Sequence, residues 1–271
     1  MFLLLSWVRL SLTFGDYPGG PVILFGHGYL WDGTLWNAQV DALSETHRCI
    51  VPDLWGHGRS GALPPSTRTM KDLARDMLAL ADTLRLDDFV VCGHGIGGQW
   101  ALELALMAPR RVKGLVLIGT FAGAESERAR NVALGLLESM ERSGGMTPPI
   151  LDALLPYFFT PEMLEEDGPV VRAFRMSLLR LPPERLATVL ELGRMICLRE
   201  DRMHVLPALA SRPVLVIAGQ EDRRRPREEG RRMAAALGVR CEEIPGAGHV
   251  PPLEQPAVMN RLLRDFLVDC R

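Results

Sequence analysis

Short runs of consecutive apolar residues alternate along this chain with longer stretches in which apolar positions recur every three or four residues. The runs Val22–Phe25, Cys49–Val51, Phe89–Cys92, Gly114–Ile118 and Val214–Ala218 are continuously apolar, as strands covered on both faces must be. Arg240–Ile244 is a sixth, less apolar strand candidate. Ahead of them, Phe2–Trp7 and Val8–Phe14 are candidates for antiparallel edge strands. Thr69 and Asp72 resemble a capping box, and Leu73, Met77, Leu80 and Leu84 then line one helix face. Pro256 suits a first helical position ahead of Val258, Leu262 and Phe266. This alternation predicts an α/β protein with a mostly parallel central sheet flanked by helices.

One stretch departs from the alternation. About ninety residues between Gly119 and Pro213 hold no strand candidate, and loops of that length without structure are uncommon in compact domains. Helical patterns occur around Glu127–Met140, Ile150–Tyr157, Val170–Leu179 and Glu184–Ile196, broken by Pro148, Pro149, Pro161, Pro182 and Pro183. The segment therefore reads as a helical cap, residues 122–210, inserted into a core formed by residues 1–121 and 211–271. Its leucines and methionines, with Tyr157, Phe158, Phe159 and Phe174, suit either an apolar substrate cleft or the cap's own packing.

Composition narrows the function classes. A chain of 271 residues with 47% hydrophobic and 24% charged residues has the make-up of a globular protein with a large core. A net charge of −2 gives no electrostatic ground for a nucleic acid or an anionic membrane as partner. Of the 31 basic residues only Lys71 and Lys113 are lysines, which reads as coding bias. The cysteines, Cys49, Cys92, Cys197, Cys241 and Cys270, are odd in number and form no C-x-x-C pair, so neither a disulfide framework nor a zinc site is expected. That points to a reducing, cytoplasmic compartment. The run Met1–Leu5 is too short to span a membrane and lacks the basic start of a signal peptide. No metal cluster is evident, and no cofactor is expected; the partner expected is a small molecule.

The most informative segment is Val90-Val91-Cys92-Gly93-His94-Gly95-Ile96-Gly97-Gly98, a buried strand entering a glycine-dense turn and then a helix over Gln99–Met107. Two chemistries compete for it. Gly93-x-Gly95-x-x-Gly98 satisfies the dinucleotide fingerprint, which also wants an acidic residue at the end of the next strand. The chain offers Ile118-Gly119-Thr120-Phe121 there, so the fingerprint is incomplete. The other chemistry is a nucleophile elbow, G-x-S-x-G, in which Gly93 and Gly97 are the flanking glycines and the central serine is replaced by Gly95.

The rest of the chain supplies a context for the elbow. Val22–Phe25 leads into Gly26-His27-Gly28-Tyr29, Cys49–Val51 into Pro52-Asp53-Leu54-Trp55-Gly56-His57-Gly58-Arg59-Ser60, Val214–Ala218 into Gly219-Gln220-Glu221-Asp222, and the last strand into Pro245-Gly246-Ala247-Gly248-His249-Val250. In these motifs and their order the chain resembles the α/β-hydrolase superfamily over nearly all of its length outside the cap, in the esterase-like branch that carries a helical cap. The resemblance implies a general base at His249, an acid at Asp222 that orients it, and an oxyanion hole from the backbone N–H groups of Tyr29 and Ile96. Glu221 and Glu125 are less well placed as the acid. His94, Trp31, Trp36 and Tyr157 are candidate substrate-binding residues, with packing as the competing role; His27 and His57 read as architecture. Cys92 lies on the buried strand and is a poor substitute nucleophile. Arg223, Arg224 and Arg225 after Asp222 read as a solvated charge run before an anion-binding one.

Glycine at the nucleophile's position leaves no Oγ for His249 to deprotonate, so no acyl-enzyme can form there. Three functions then stand: a hydrolase of small esters or related acyl compounds that is inactive or weak as written; a non-covalent His–Asp enzyme of lyase or cofactor-free oxygenase type; and a non-catalytic ligand-binding protein or receptor.

Overall fold

The computed structural model describes residues 2–5, 8–15 and 20–270. Its strands are β1 (Phe2–Leu5), β2 (Val8–Gly15), β3 (Val22–Gly26), β4 (Arg48–Pro52), β5 (Phe89–His94), β6 (Val112–Ile118), β7 (Val214–Gly219) and β8 (Cys241–Ile244). They form one eight-stranded sheet in the order β1-β2-β4-β3-β5-β6-β7-β8. The six strands from β3 to β8 are mutually parallel, while β2 runs antiparallel to β4 and β1 antiparallel to β2. All six expected parallel strands are present, lengthened by a residue or two or, for β8, shortened by one. The antiparallel edge pair is present too, although Trp7 lies outside the described residues.

The helices before the long β6–β7 connection are α1 (Asn37–Leu43), α2 (Met70–Thr83) and α3 (Ile96–Met107). Within that connection lie α4 (Glu127–Ser143), α5 (Pro148–Leu154), α6 (Pro161–Glu166), α7 (Pro169–Leu179) and α8 (Pro183–Leu198). After it come α9 (Arg227–Leu237), α10 (Pro251–Glu254) and α11 (Pro256–Leu267). Three prolines expected only to interrupt the helical patterns, Pro148, Pro161 and Pro183, instead open helices at their first residue, where the missing N–H costs nothing.

The period-two geometry of a strand decides which helices cover which side. Phe89, Val91, Leu115 and Leu117 join the core that holds Leu73, Met77 and Leu80 of α2, Trp100 and Leu104 of α3, and Met233 and Leu237 of α9. Val90, Cys92, Val116 and Ile118 face the other core, with Leu43 of α1 and Met259 and Leu263 of α11. Leu137 and Met140 of α4, Phe174 of α7 and Val189 of α8 belong to that second core, so the helices of the β6–β7 connection share a core with the sheet. Trp31 stacks on Phe174 across this junction, centroids 4.3 Å apart at 21°. Among the described residues no helix is long and apolar enough to cross a membrane.

The strand order also locates a site. From β3 the chain steps outward to β4 on one side and then returns to place β5 on the other. Such a reversal leaves a crevice at the carboxyl ends of the two diverging strands. Gly26 and Gly93 are direct register partners there, so the turns after β3 and β5 are brought together.

Candidate active site

The turn between β5 and α3 is built on close backbone approach. A Cβ on Gly97 would overlap the Gly26 carbonyl, and one on Gly93 would overlap the Gly97 carbonyl. Only glycine fits either place, which is what the flanking positions of an elbow require. Gly95 itself has φ 55° and ψ −117°, a conformation that costs an L-residue of order 1–3 kcal/mol. Its backbone is pinned: its N–H donates to Ile118 O (3.0 Å), and its carbonyl accepts from Gly98 N, Gln99 N and the Thr120 hydroxyl. Yet a Cβ at Gly95 would meet only Gly28 Cα at 3.6 Å and His249 Nε2 at 3.8 Å, both ordinary contacts.

His249 stands on the loop after β8, and Asp222 on the loop after β7. His249 Nδ1 and Asp222 Oδ2 are 2.8 Å apart. The other carboxylate oxygen, Oδ1, accepts from the N–H groups of Arg224 (2.8 Å) and Arg225 (2.7 Å), which fixes the acid's orientation. The His249 carbonyl is held by Nε2 of His94 at 2.7 Å. His94 is fully buried and does not line the cavity; burial pushes it well below the usual histidine range, so it is a neutral Nε2–H donor. Its place is beneath His249 and away from any substrate. Glu254 grips the same loop by accepting the N–H of Val250 (2.9 Å), and burial raises its carboxyl to about 8.

The turn after β3 presents the Tyr29 N–H, and the first residue of α3 presents the Ile96 N–H. Among the described residues neither amide has an acceptor. Two neutral histidines brace this turn against the loop after β4. His27 Nε2 accepts from Leu54 N (2.8 Å), and His57 Nε2 accepts from Leu30 N (3.0 Å). Burial lowers both, His57 to about 3. Asp53 completes the brace by accepting from Gly33 N and Arg59 N. These residues are architecture, as their turn motifs suggested.

Above the turns lies a cavity of about 520 Å³ bordered by Gly95, Ile96, Tyr29 and His249. Helix α4 supplies an apolar wall with Val132, Ala133, Leu136, Leu137 and Met140; Tyr157, Phe158 and Ile196 also line the cavity. Of the aromatic candidates, Tyr157 lines this cavity. Trp36 does not: it is completely buried against Phe25, centroids 4.9 Å apart. Trp31 is likewise taken up by packing, between Phe158, Phe159 and Phe174. Cys92 is sealed in the core, where burial raises its thiol well above the usual range.

Two features were not anticipated. Gln99, one turn along α3 from Gly95, borders the cavity with a buried Oε1 that has no partner among the described residues. The arginine run is largely not solvated: Arg224 and Arg225, with Arg199, close on the buried carboxylate of Glu125. Burial alone would raise that carboxyl, but the Arg225, Arg224 and Arg199 guanidiniums hold it far below the usual range. Glu125 is thus committed to the arginines and does not approach His249 as an acid.

A family model described as "Alpha/beta hydrolase family" matches residues 22–262, and the chain belongs to that family. It is 30% identical over 253 residues, 92% of each chain, to the "Putative carbamate hydrolase RutD" of Variovorax paradoxus. A protein of the same name from Rhizobium rhizogenes is 33% identical over 129 residues, a match spanning 49% of its length. A thermophilic esterase from Thermogutta terrifontis superposes with a TM-score of 0.85 at 32% identity, covering 97% of this chain and 94% of its own.

Proposed function

We propose that the cavity is the active site of an acyl-hydrolase scaffold, acting on small esters or related acyl compounds, whose serine nucleophile is replaced by Gly95. The observation that carries this is the space at that residue. A Cβ there clashes with nothing and sits 3.8 Å from His249 Nε2. A serine Oγ, one bond further out, would fall within hydrogen-bond reach of that nitrogen. In that form the Oγ attacks the carbonyl carbon while His249 Nε2 takes its proton and Asp222 stabilises the imidazolium. The tetrahedral oxyanion accepts from the Tyr29 and Ile96 amides, and His249 returns the proton to the leaving alcohol. A water deprotonated by His249 then attacks the acyl-enzyme, releasing the acid and returning the proton to the serine Oγ. Residues 122–210 act as a lid over the site, since α4 forms its apolar wall. Relatives named for carbamate and ester hydrolysis support the reaction class. The five free thiols suit a cytoplasmic setting.

As written, the chain forms no acyl-enzyme at position 95. A serine hydrolase without its nucleophile loses on the order of a millionfold in kcat, keeping roughly 10³–10⁴-fold over water from binding and the oxyanion hole. The test is hydrolysis of chromogenic short- and medium-chain esters by the chain and by Gly95→Ser. Turnover confined to the serine form supports the proposal, and no turnover by either removes it.

The same space supports a second reading, in which His249 acts on a water or on the substrate itself without a covalent intermediate. That reading expects an activity of the unaltered chain that His249→Ala abolishes. Ligand binding that persists in His249→Ala, with no turnover by any form, would instead favour a binding protein.

A further inference from the structure

The charge around the cavity is one-sided. Four of its lining residues are arginines, Arg128, Arg223, Arg224 and Arg225, and none is an aspartate or glutamate. The acids that meet the buried arginines are committed to them. Glu125 is shared by Arg199, Arg224 and Arg225, and Glu229 pairs with Arg225 at 3.2 Å. Arg199, Arg224 and Arg225 are thus matched by Glu125, Glu229 and the neighbouring Asp222 and leave no charge over for a ligand. Asp222 is occupied by His249 and by the backbone N–H groups of Arg224 and Arg225. Arg223, on the same loop, and Arg128, in the first turn of α4, form no ion pair among the described residues; both are exposed and border the cavity.

The apolar lining forbids the opposite arrangement. Helix α4 adds Val132, Ala133, Leu136, Leu137 and Met140 to the same lining, which accept hydrocarbon and offer no hydrogen bonds. A ligand that satisfies both sets of residues has an apolar part and an anionic group. Guanidinium binds a carboxylate through two parallel N–H···O bonds and loses less hydration than an ammonium does.

We propose that this cavity selects a carboxylate-bearing acyl substrate, whose reacting carbonyl lies at the Tyr29 and Ile96 amides and whose remote carboxylate is held by Arg223 and Arg128. The placement of the carbonyl rests on the hydrolase reading above; the anion preference does not.

The experiment has two arms for that reason. In the first, Gly95→Ser is given p-nitrophenyl octanoate and the mono-p-nitrophenyl ester of suberic acid, which has the same chain length and a terminal carboxylate. The ratio of their kcat/KM values is expected to favour the carboxylate ester by roughly tenfold and to collapse towards one in Arg223→Gln/Arg128→Gln. In the second, the unaltered protein is titrated calorimetrically with monomethyl and dimethyl suberate. The monoanion is expected to bind more tightly, with the advantage shrinking at high salt and lost in the arginine double variant. Absence of turnover together with the binding preference would sink the hydrolase reading and leave this inference standing. Turnover without a carboxylate preference, a preference that survives the double substitution, or equal or absent binding of both suberates would overturn it.

Discussion

A side chain at position 95 meets two opposing conditions. The space is there, with nearest contacts at 3.6 and 3.8 Å, but φ 55° with ψ −117° strains any L-residue. Glycine relieves that strain and leaves position 95 without a hydroxyl. Gly95→Ser is therefore expected to gain esterase activity while losing about 1–3 kcal/mol of stability. Gly95→Ala is expected to lose as much and gain nothing, and urea denaturation beside the ester assay reads both. If the serine form proved as stable as the parent, the turn would be relaxing, and the fixed elbow geometry would be wrong. A second residue tests the acid. In the Gly95→Ser protein, Asp222→Asn still offers an oxygen to the Arg224 and Arg225 amides but presents an NH₂ to His249 Nδ1. That selects the wrong imidazole tautomer, so kcat is expected to fall on the order of 10⁴-fold with the fold intact. A loss below tenfold would show that His249 is oriented by something else.

Among the elements, the β3–α3 junction is tightly packed. Gly97→Ala would push a Cβ into the Gly26 carbonyl, and neither strand nor helix can retreat from it. A loss of about 3 kcal/mol is expected. By contrast, Gly135, inside α4, has nothing within 4 Å of its would-be Cβ. Gly135→Ala should gain roughly 0.5–1 kcal/mol through helix propensity alone. Thermal unfolding of the two variants reads the contrast, and equal effects would contradict the packing described. This junction was legible in the sequence because such glycines answer to local sterics: Gly93 and Gly97 bracket position 95 whatever surrounds them. The parallel strands were legible for a similar reason, since burial on both faces leaves a continuous apolar run. The α4 wall was not. Leu136, Leu137 and Met140 have the periodicity of any amphipathic helix, and only tertiary docking decides which of them faces a cavity. Trp36 failed as a pocket residue on the same ground, because proximity to the oxyanion turn in sequence does not say which side of the turn a ring takes. The arginine run misled because its partner, Glu125, lies about a hundred residues away and the pairing has no local signature.

At the scale of the whole molecule, the buried titratable groups set a stability profile with two limbs. His27, His57 and His94 are neutral in the folded protein and ordinary in the unfolded chain, with His57 at about 3 against 6.5. Groups with lowered folded values contribute stability that is present above 6.5 and is lost as pH falls towards the folded value. Each can give a slope of up to about 1.4 kcal/mol per pH unit below 6.5. Glu125, held low by its three arginines, steepens the same acid limb below about 4.5. Glu254 acts in the other sense. Its folded value of about 8 exceeds the unfolded 4.5, so its contribution is complete only at low pH and is lost as pH rises through 8. Below 6.5 the histidines outweigh it, and above 6.5 it acts without them, so the unfolding midpoint is expected to peak near pH 6.5. Glu254→Gln should abolish the decline between 6.5 and 8 and steepen the rise between 4.5 and 6.5, where Glu254 opposes the histidines, because glutamine offers the Val250 N–H an acceptor at every pH. Calorimetry of both proteins from pH 4 to 9 distinguishes the limbs. A profile flat from 4 to 6.5 would require protonated histidines in the fold, and protonated rings cannot accept from the Leu54 and Leu30 amides that now hold the turn after β3 in place.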